Sequence, residues 1–317
     1  MSNRIVFLGT PDFAVASLEA LIENNFNVVG VVTMPDKKAG RGHKIQYSPV
    51  KECALKHDLP LLQPTNLKDA DFQAELAALK ADIQVVVAFR MLPEAVWAMP
   101  PMGTINVHGS LLPNYRGAAP VNWAVINGEE ETGVTTFQLK HEIDTGAILK
   151  QKKTPITPEE TAGSVYVRLM NLGAELLVET LTGLFDSTIE PIPQNQLMDE
   201  ADIKHAPKIF KPDCAINWNQ SAERIFNFIR GMAPFPGAYT HVKVQDKKLL
   251  LKVKSSELTE NPSNEAGLLE IKDKSIFVHT NDFQLKLTDV QLEGKRAMAP
   301  ADLLNGTPLE NQNLISF

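Results

Sequence analysis

A chain of 317 residues is longer than one hydrophobic core ordinarily serves, so two domains are expected. Its apolar content of 44% and charged content of 22% exclude a disordered or fibrous chain. The net charge of −7 is unevenly divided: residues 206–317 hold 14 basic against 13 acidic side chains, so a balance of −8 falls on residues 1–205 and the second part is the freer to face a polyanion. Two cysteines, Cys53 and Cys214, lie far apart and neither sits in a CxxC pair. Neither a disulfide framework nor a cysteine zinc site is expected, and a reducing compartment suits the chain. The run from Ile5 to Leu8 is too short for a signal-peptide core, and no stretch approaches the ~20 apolar residues that cross a bilayer. A cytoplasmic protein without a membrane partner is the resulting expectation.

In chain order, residues 4–9 read as a buried strand, followed by Thr10-Pro11-Asp12 at the start of a helix carrying Phe13, Leu18 and Leu21 at helical spacing. Residues 27–33 form the next strand, 50–57 a helix, 61–62 a short strand and 72–79 a helix. The run 83–89, IQVVVAF, is apolar enough to be covered on both faces. Strands follow at 103–108 and 134–139, then a long amphipathic helix at 161–185. Strands and helices alternating in this way predict an α/β fold, a Rossmann-like, doubly wound and mostly parallel sheet. Residues 188–205, with Pro191, Pro193 and several amides, read as a linker. Beyond it one helix, 222–230, accompanies five short strands at 238–244, 249–254, 267–271, 275–280 and 284–287, the pattern of a small OB-like β-barrel. The expected division is 1–187, 188–205 and 206–317.

The chemistry concentrates after the strand at 103–108. Asn106 and His108 share one face of that strand, because side chains alternate with period two. Gly109 then ends the strand, and polar groups at the carboxyl end of a strand in an open α/β sheet sit where ligands bind. An amide N–H there can donate to the oxyanion of a tetrahedral intermediate, and an imidazole can donate to it or relay protons. Asp144, in a turn closed by Gly146, can bring a carboxylate back over His108 and orient the ring. Each has a plainer reading by itself: Asn106 as a turn residue, His108 as a buried structural histidine, Asp144 as a turn aspartate. Together they are consistent with acyl transfer.

The stretch NVHGSLLPNYRGAAP at 106–120, with ETGVTTFQLKHEIDTG at 131–146, closely resembles the folate-dependent formyltransferases. FLGTPDFAV near the start, PDKKAGRG at 35–42 and NWNQSAERIFNFIRGMAPFPGA at 217–238 extend the resemblance over nearly the whole chain. It implies that Asn106, His108 and Asp144 are catalytic. It further implies that Ser110, Leu111, Leu112 and Pro113 line a site for 10-formyltetrahydrofolate, with Phe89, Met91 and Leu92 forming another wall. Arg90 departs from the family, which has a small residue there, and His141 reads as an exposed loop histidine.

Residues 34–48 hold Lys37, Lys38, Arg41 and Lys44 without an apolar period, with Arg41 between two glycines. Mobile backbone and cations favour phosphates or bases, and such a segment could stay disordered until RNA binds. The tRNA-acting members of the family carry this loop and use it on the acceptor stem of the initiator tRNA; the resemblance places Arg41 at the acceptor end. The family's enzymes for free glycinamide ribonucleotide lack both the loop and the second domain. Residues 206–317 then read as a tRNA-holding domain, with the pair Lys247 and Lys248 and the pair Lys252 and Lys254 the foremost candidates beside Lys208, Lys211 and Lys243. The implied reaction is formyl transfer to the amino group of charged initiator tRNA by a monomer needing no metal. Transfer to a sugar-nucleotide amine, or hydrolysis of the folate, shares the same three catalytic residues and stays open on them alone. A nicotinamide dehydrogenase is disfavoured because GTPDF lacks GxGxxG, and a non-catalytic RNA-binding protein would have no use for the three residues.

Overall fold

The structure, a computed structural model, describes residues 3–39 and 44–314. In chain order the elements are β1 (Arg4–Gly9), α1 (Asp12–Glu23), β2 (Asn27–Val32), β3 (Lys37–Ala39), β4 (Lys44–Gln46), α2 (Pro49–Lys56), β5 (Leu61–Leu62), α3 (Ala70–Ala78), β6 (Ile83–Val87), α4 (Glu94–Trp97), β7 (Thr104–His108), β8 (Arg116–Gly117), α5 (Pro120–Ile126), β9 (Glu131–Gln138), β10 (Ile148–Pro155), α6 (Ala162–Phe185), β11 (His205–Ala206), α7 (Ala222–Met232), β12 (Ala238–Val244), β13 (Lys247–Pro262), β14 (Leu268–Lys272), β15 (Ser275–His279), β16 (Phe283–Leu292), α8 (Pro300–Asn305) and β17 (Gln312–Asn313). Among the described residues no helix is long and apolar enough to cross a membrane. The chain forms two compact units. One comprises Met1–Gly117, Thr132–Thr154 and Tyr166–His205; the other comprises Ala118–Glu131, Pro155–Val165 and Ala206–Phe317.

The first unit is built on a seven-stranded sheet of order β10-β9-β7-β6-β1-β2-β5. β1 pairs in parallel with β2 and β6, β2 with β5, and β6 with β7, while β7 meets β9 antiparallel. Ile5, Val6, Phe7 and Leu8 of β1 are fully buried, and so is every residue of β6 but for traces, as in a sheet covered on both faces. The Rossmann-like reading is therefore correct, with an antiparallel edge added to it. β10 is the strand that periodicity did not announce. Beyond the buried Ile148 and Leu149 it alternates half-buried and exposed, with Lys150 and Lys152 reaching Glu175 and Glu179 of α6, so a charged edge strand looked like a loop.

Residues 34–48 also differ from the patternless segment expected. β3 and β4 pair antiparallel, Lys37 opposite Gln46 and Lys38 opposite Ile45. The feet of this hairpin are tied down: the Lys51 ammonium lies 2.6 Å from Asp36 Oδ2 and 3.9 Å from the centre of the Tyr47 ring, and Gln63 donates to Asp36 and to the Met34 carbonyl. Lys37 is exposed; Arg41 lies outside the described residues.

The second unit carries an antiparallel sheet of order β12-β13-β16-β15-β14-β17, close to a barrel. β13 is far longer than the run 249–254 because register shifts after Val253, Ser255 and Leu258 bend it while it continues to pair with β16. Gln312 on β17 bridges to the other edge, its carbonyl accepting from Lys243 N at 2.6 Å and its amide donating to Lys243 O at 2.9 Å. Trp218 is fully buried at the centre and donates to Thr240 Oγ1. Ile225, Ile229 and Met232 of α7 and Ile126 of α5 join that core. Gly231 permits the close approach of α7 to α5: a Cβ there would lie 2.8 Å from the Ile126 backbone nitrogen.

Candidate active site

β7 lies between β6 and β9, with Asn106 in register with Val86 and Phe137, and His108 with Thr135. Asn106 is half-buried, and among the described residues its amide has no hydrogen-bond partner. His108 is 6% exposed. Its Nε2–H donates to the Tyr115 carbonyl at 2.9 Å, which assigns the proton to that nitrogen. Nδ1 faces Asp144 Oδ2 at 3.8 Å, an ion-pair distance and not a hydrogen bond. The carboxylate in turn accepts from the Gly117 N–H at 2.9 Å.

Two residues of this constellation, Tyr115 (φ 63°) and Asp144 (φ 55°), occupy left-handed backbone that non-glycine residues avoid at a cost of roughly 1 kcal/mol or more. The surroundings hold them there. Ser110, fully buried, donates to the Asn114 carbonyl at 2.7 Å and so closes the loop that carries Tyr115. Tyr115 N–H donates to the Lys204 carbonyl, and Lys204 N–H to Asn114 Oδ1. Thr135 donates to the Ser110 carbonyl and accepts from Leu112 N–H, while Gln151 donates to the Leu112 carbonyl. At the Asp144 turn, Gly146 is required by close approach: a Cβ there would lie 1.6 Å from the Gln138 carbonyl oxygen.

Of the residues expected to line a folate site, Ser110, Leu112 and Pro113 are buried in the loop, Leu112 within a cluster with Phe137 and Ile148. Leu111 is part-exposed. Phe89 and Leu92 pack half-buried against the core beneath β6, and Met91 is 74% exposed. Arg90 turns to the segment after β5, donating to the Pro64 and Thr65 carbonyls, its guanidinium 5.7 Å from the Phe89 ring centre. Burial lowers its pKa. It stitches two loops at the carboxyl end of the sheet. His141 is exposed, as expected. Lys247 and Lys248 are exposed beside the β12–β13 turn, Lys248 in register with Lys243.

Two residues that carry the site went unread in the sequence. Gln194, 3% exposed in the segment taken for a linker, donates to the Asp144 and Gly146 carbonyls at 2.9 and 2.8 Å. Its own carbonyl accepts from Arg116 Nε and Nη2 at 3.0 and 2.8 Å. No local pattern marks a glutamine whose partners lie about fifty and eighty positions away; the RG following the SLLPNY loop was the only trace. Among the described residues, metal-ligating types gather where Glu19 meets Cys53 and His57. Glu19 there is already engaged by Lys56 at 3.0 Å and His57 at 2.8 Å. Burial, with Glu19 adding to it, pushes the Cys53 thiol up to about 12, so this is an inert contact between α1 and α2.

Comparison with known proteins bears on the whole chain. A family model described as formyl transferase matches residues 3–181, and one described as formyl transferase, C-terminal domain, matches residues 208–308. A relative from Parabacteroides distasonis named methionyl-tRNA formyltransferase is 52% identical over 308 residues, covering 96% of this chain and 95% of the relative. Relatives of the same name from Bacteroides fragilis and Flavobacterium johnsoniae are each 49% identical, over 306 and 310 residues. Among solved structures, the sugar 3N-formyl transferase WlaRD shares the fold with a TM-score of 0.65 at 19% identity, covering 93% of this chain and all of that one. HypX from Aquifex aeolicus, solved with tetrahydrofolic acid, has a TM-score of 0.62 at 20% identity, and this chain, 96% covered, spans 47% of its length. With about half its residues shared from end to end with such relatives, and both domain models matched in order, the chain belongs to the formyl transferase family.

Proposed function

We infer that the chain transfers the formyl group of 10-formyltetrahydrofolate to the α-amino group of methionyl-initiator tRNA, giving N-formylmethionyl-tRNA and tetrahydrofolate. The observation that carries this reading is identity near 50%, over nearly the full length, with relatives named methionyl-tRNA formyltransferase. The site geometry supports it. The amine attacks the formyl carbon, and the carbonyl oxygen gains charge as the tetrahedral intermediate forms. Asn106, without a side-chain partner among the described residues, donates to that oxygen. His108 has its Nε2 proton committed to Tyr115, so Nδ1 is the nitrogen that takes the proton from the ammonium nitrogen created in the tetrahedral intermediate once the neutral amine has attacked. Asp144, 3.8 Å away, stabilises the imidazolium that results. The bond from the formyl carbon to N10 then breaks, and the proton passes to N10. No step calls on a metal.

Under this reading the folate wall comprises Phe89, Met91, Leu92 and the loop of Ser110, Leu111, Leu112 and Pro113. Lys37, Lys38, Arg41 and Lys44 meet the acceptor stem, and Lys247 and Lys248 add phosphate contacts. The free cysteines Cys53 and Cys214 suit a reducing cytoplasm, where a monomer would act. The test is an assay with 10-formyltetrahydrofolate and, in parallel, charged initiator tRNA, charged elongator tRNA and an amino-sugar nucleotide. Formylation of the initiator tRNA alone is expected; formylation of the sugar nucleotide, or release of formate without an acceptor, would replace the reading.

A further inference from the structure

The catalytic groups of β7 and of the 139–146 turn are held from outside by the segment between α6 and β11. Gln194 uses every polar function of its side chain. Its amide donates to the carbonyls on either side of Thr145, at Asp144 and Gly146. Its carbonyl is gripped by Arg116, which is 8% exposed and whose Nη1 also meets Glu200 at 2.8 Å. Residues 115, 116 and 117 in succession supply the Tyr115 carbonyl to His108, the Arg116 fork to Gln194 and the Gly117 N–H to Asp144. Lys204, at the far end of the same segment, fixes Tyr115 through its carbonyl. The chain from 194 to 204 thus touches both arms of the His108–Asp144 pair without reaching either side chain itself.

We propose that Gln194 is a positioning residue for formyl transfer, setting the Asp144 carboxylate against His108 by clamping the left-handed Asp144 turn to Arg116. The proposal rests on the formyl-transfer reading above. A left-handed aspartate is not held by its own backbone preference, and a carboxylate displaced by an ångström loses its hold on the ring it serves. The two halves of the clamp can be separated chemically. Gln194→Glu keeps an acceptor for Arg116 but replaces the two N–H donors with oxygen aimed at the Asp144 and Gly146 carbonyls. Gln194→Met removes both halves at similar volume.

The experiment measures kcat, and KM for folate and for charged tRNA, in the full chain and both variants, with thermal unfolding recorded for each. The expected result is a fall in kcat of about ten- to a hundredfold in both variants, with both KM values within about threefold of the parent. The overturning results are a Gln194→Glu variant with parental kcat, which would make Gln194 merely an anchor for Arg116, or losses confined to KM. Should Gln194→Met fail to fold, Gln194→Glu, whose pairing with Arg116 survives, decides the matter. Should the parent itself formylate no tRNA, the formyl-transfer reading fails instead, which is a distinct outcome.

Discussion

At the scale of single residues the site is an arrangement of commitments. His108 Nε2 is spoken for by the Tyr115 carbonyl, and Asp144 by the Gly117 N–H, so among the described residues the Asn106 amide is the hydrogen-bond donor of the three left open to a reacting molecule, beside His108 Nδ1 as a base. Removing one such donor ordinarily costs about 10² to 10³ in rate, roughly 3 to 4 kcal/mol. Asn106→Ala should therefore lose about that much in kcat under saturating substrates while unfolding at the parental temperature; a single-turnover formylation assay checks this, and an unchanged rate would remove Asn106 from the chemistry. The placement of Asn106 and His108 on one strand, with Asp144 in a turn facing His108, was legible because strand periodicity and a turn motif are local; a catalytic role for them came from the resemblance alone. Gln194 and Arg116 were not legible, because a buried side-chain amide announces itself only through partners brought together by folding.

Elements impose their own requirements. The turn that follows β9 passes so close to the Gln138 carbonyl that Gly146→Ala must displace backbone and not a flexible side chain. The cost should exceed the roughly 1 to 3 kcal/mol of ordinary overpacking, read as a lowered urea midpoint, and activity should fall with it because Asp144 rides on the same turn. The start of α7 offers a pH-dependent case. Burial opposes ionisation of Asp282, but N–H donors from Ala222 and Phe283 and the Thr280 hydroxyl outweigh it and hold the carboxyl below its usual range. A folded value below the unfolded one means that the contribution is full above the ordinary carboxylate range and fades as pH falls through the folded value. Asp282→Asn should thus lower stability by about 1 kcal/mol at neutral pH, a figure kept small by solvent screening. The gap should close when unfolding is followed into acid, and a gap that is constant with pH would assign the loss to packing. The parallel strands were readable because apolar runs covered on both faces leave a plain signature. β10 and the full length of β13 were not, since a lysine-bearing edge and a bulged strand both break the period.

For the whole molecule, charge is the property that composition alone could place. A chain of net charge −7 binding a polyanion must do so through local clusters of lysine and arginine. Affinity for charged tRNA should accordingly fall linearly in log–log form as salt rises, while affinity for the folate changes little; filter binding and fluorescence titration at several salt concentrations compare the two. A flat response for tRNA would discard the proposed phosphate contacts at Lys247 and Lys248. A change of architecture was also legible, from the end of strand–helix alternation near residue 187. That the units interleave was hidden, because α5 and residues 155–165 are contributed between strands of the first sheet.

This interleaving bears on how the chain can be taken apart. Asn122 of α5 donates to the Gly231 carbonyl, Ile126 lies in the core around Trp218, and Arg230 is held by the carbonyls of Thr157 and Glu160. A gene truncated between residues 188 and 205 would send those partners away with the wrong fragment. Neither piece would be a module: one would carry an orphaned apolar helix, the other a buried arginine with its acceptors gone. Exchange of parts between relatives would have to move three separate stretches of sequence together.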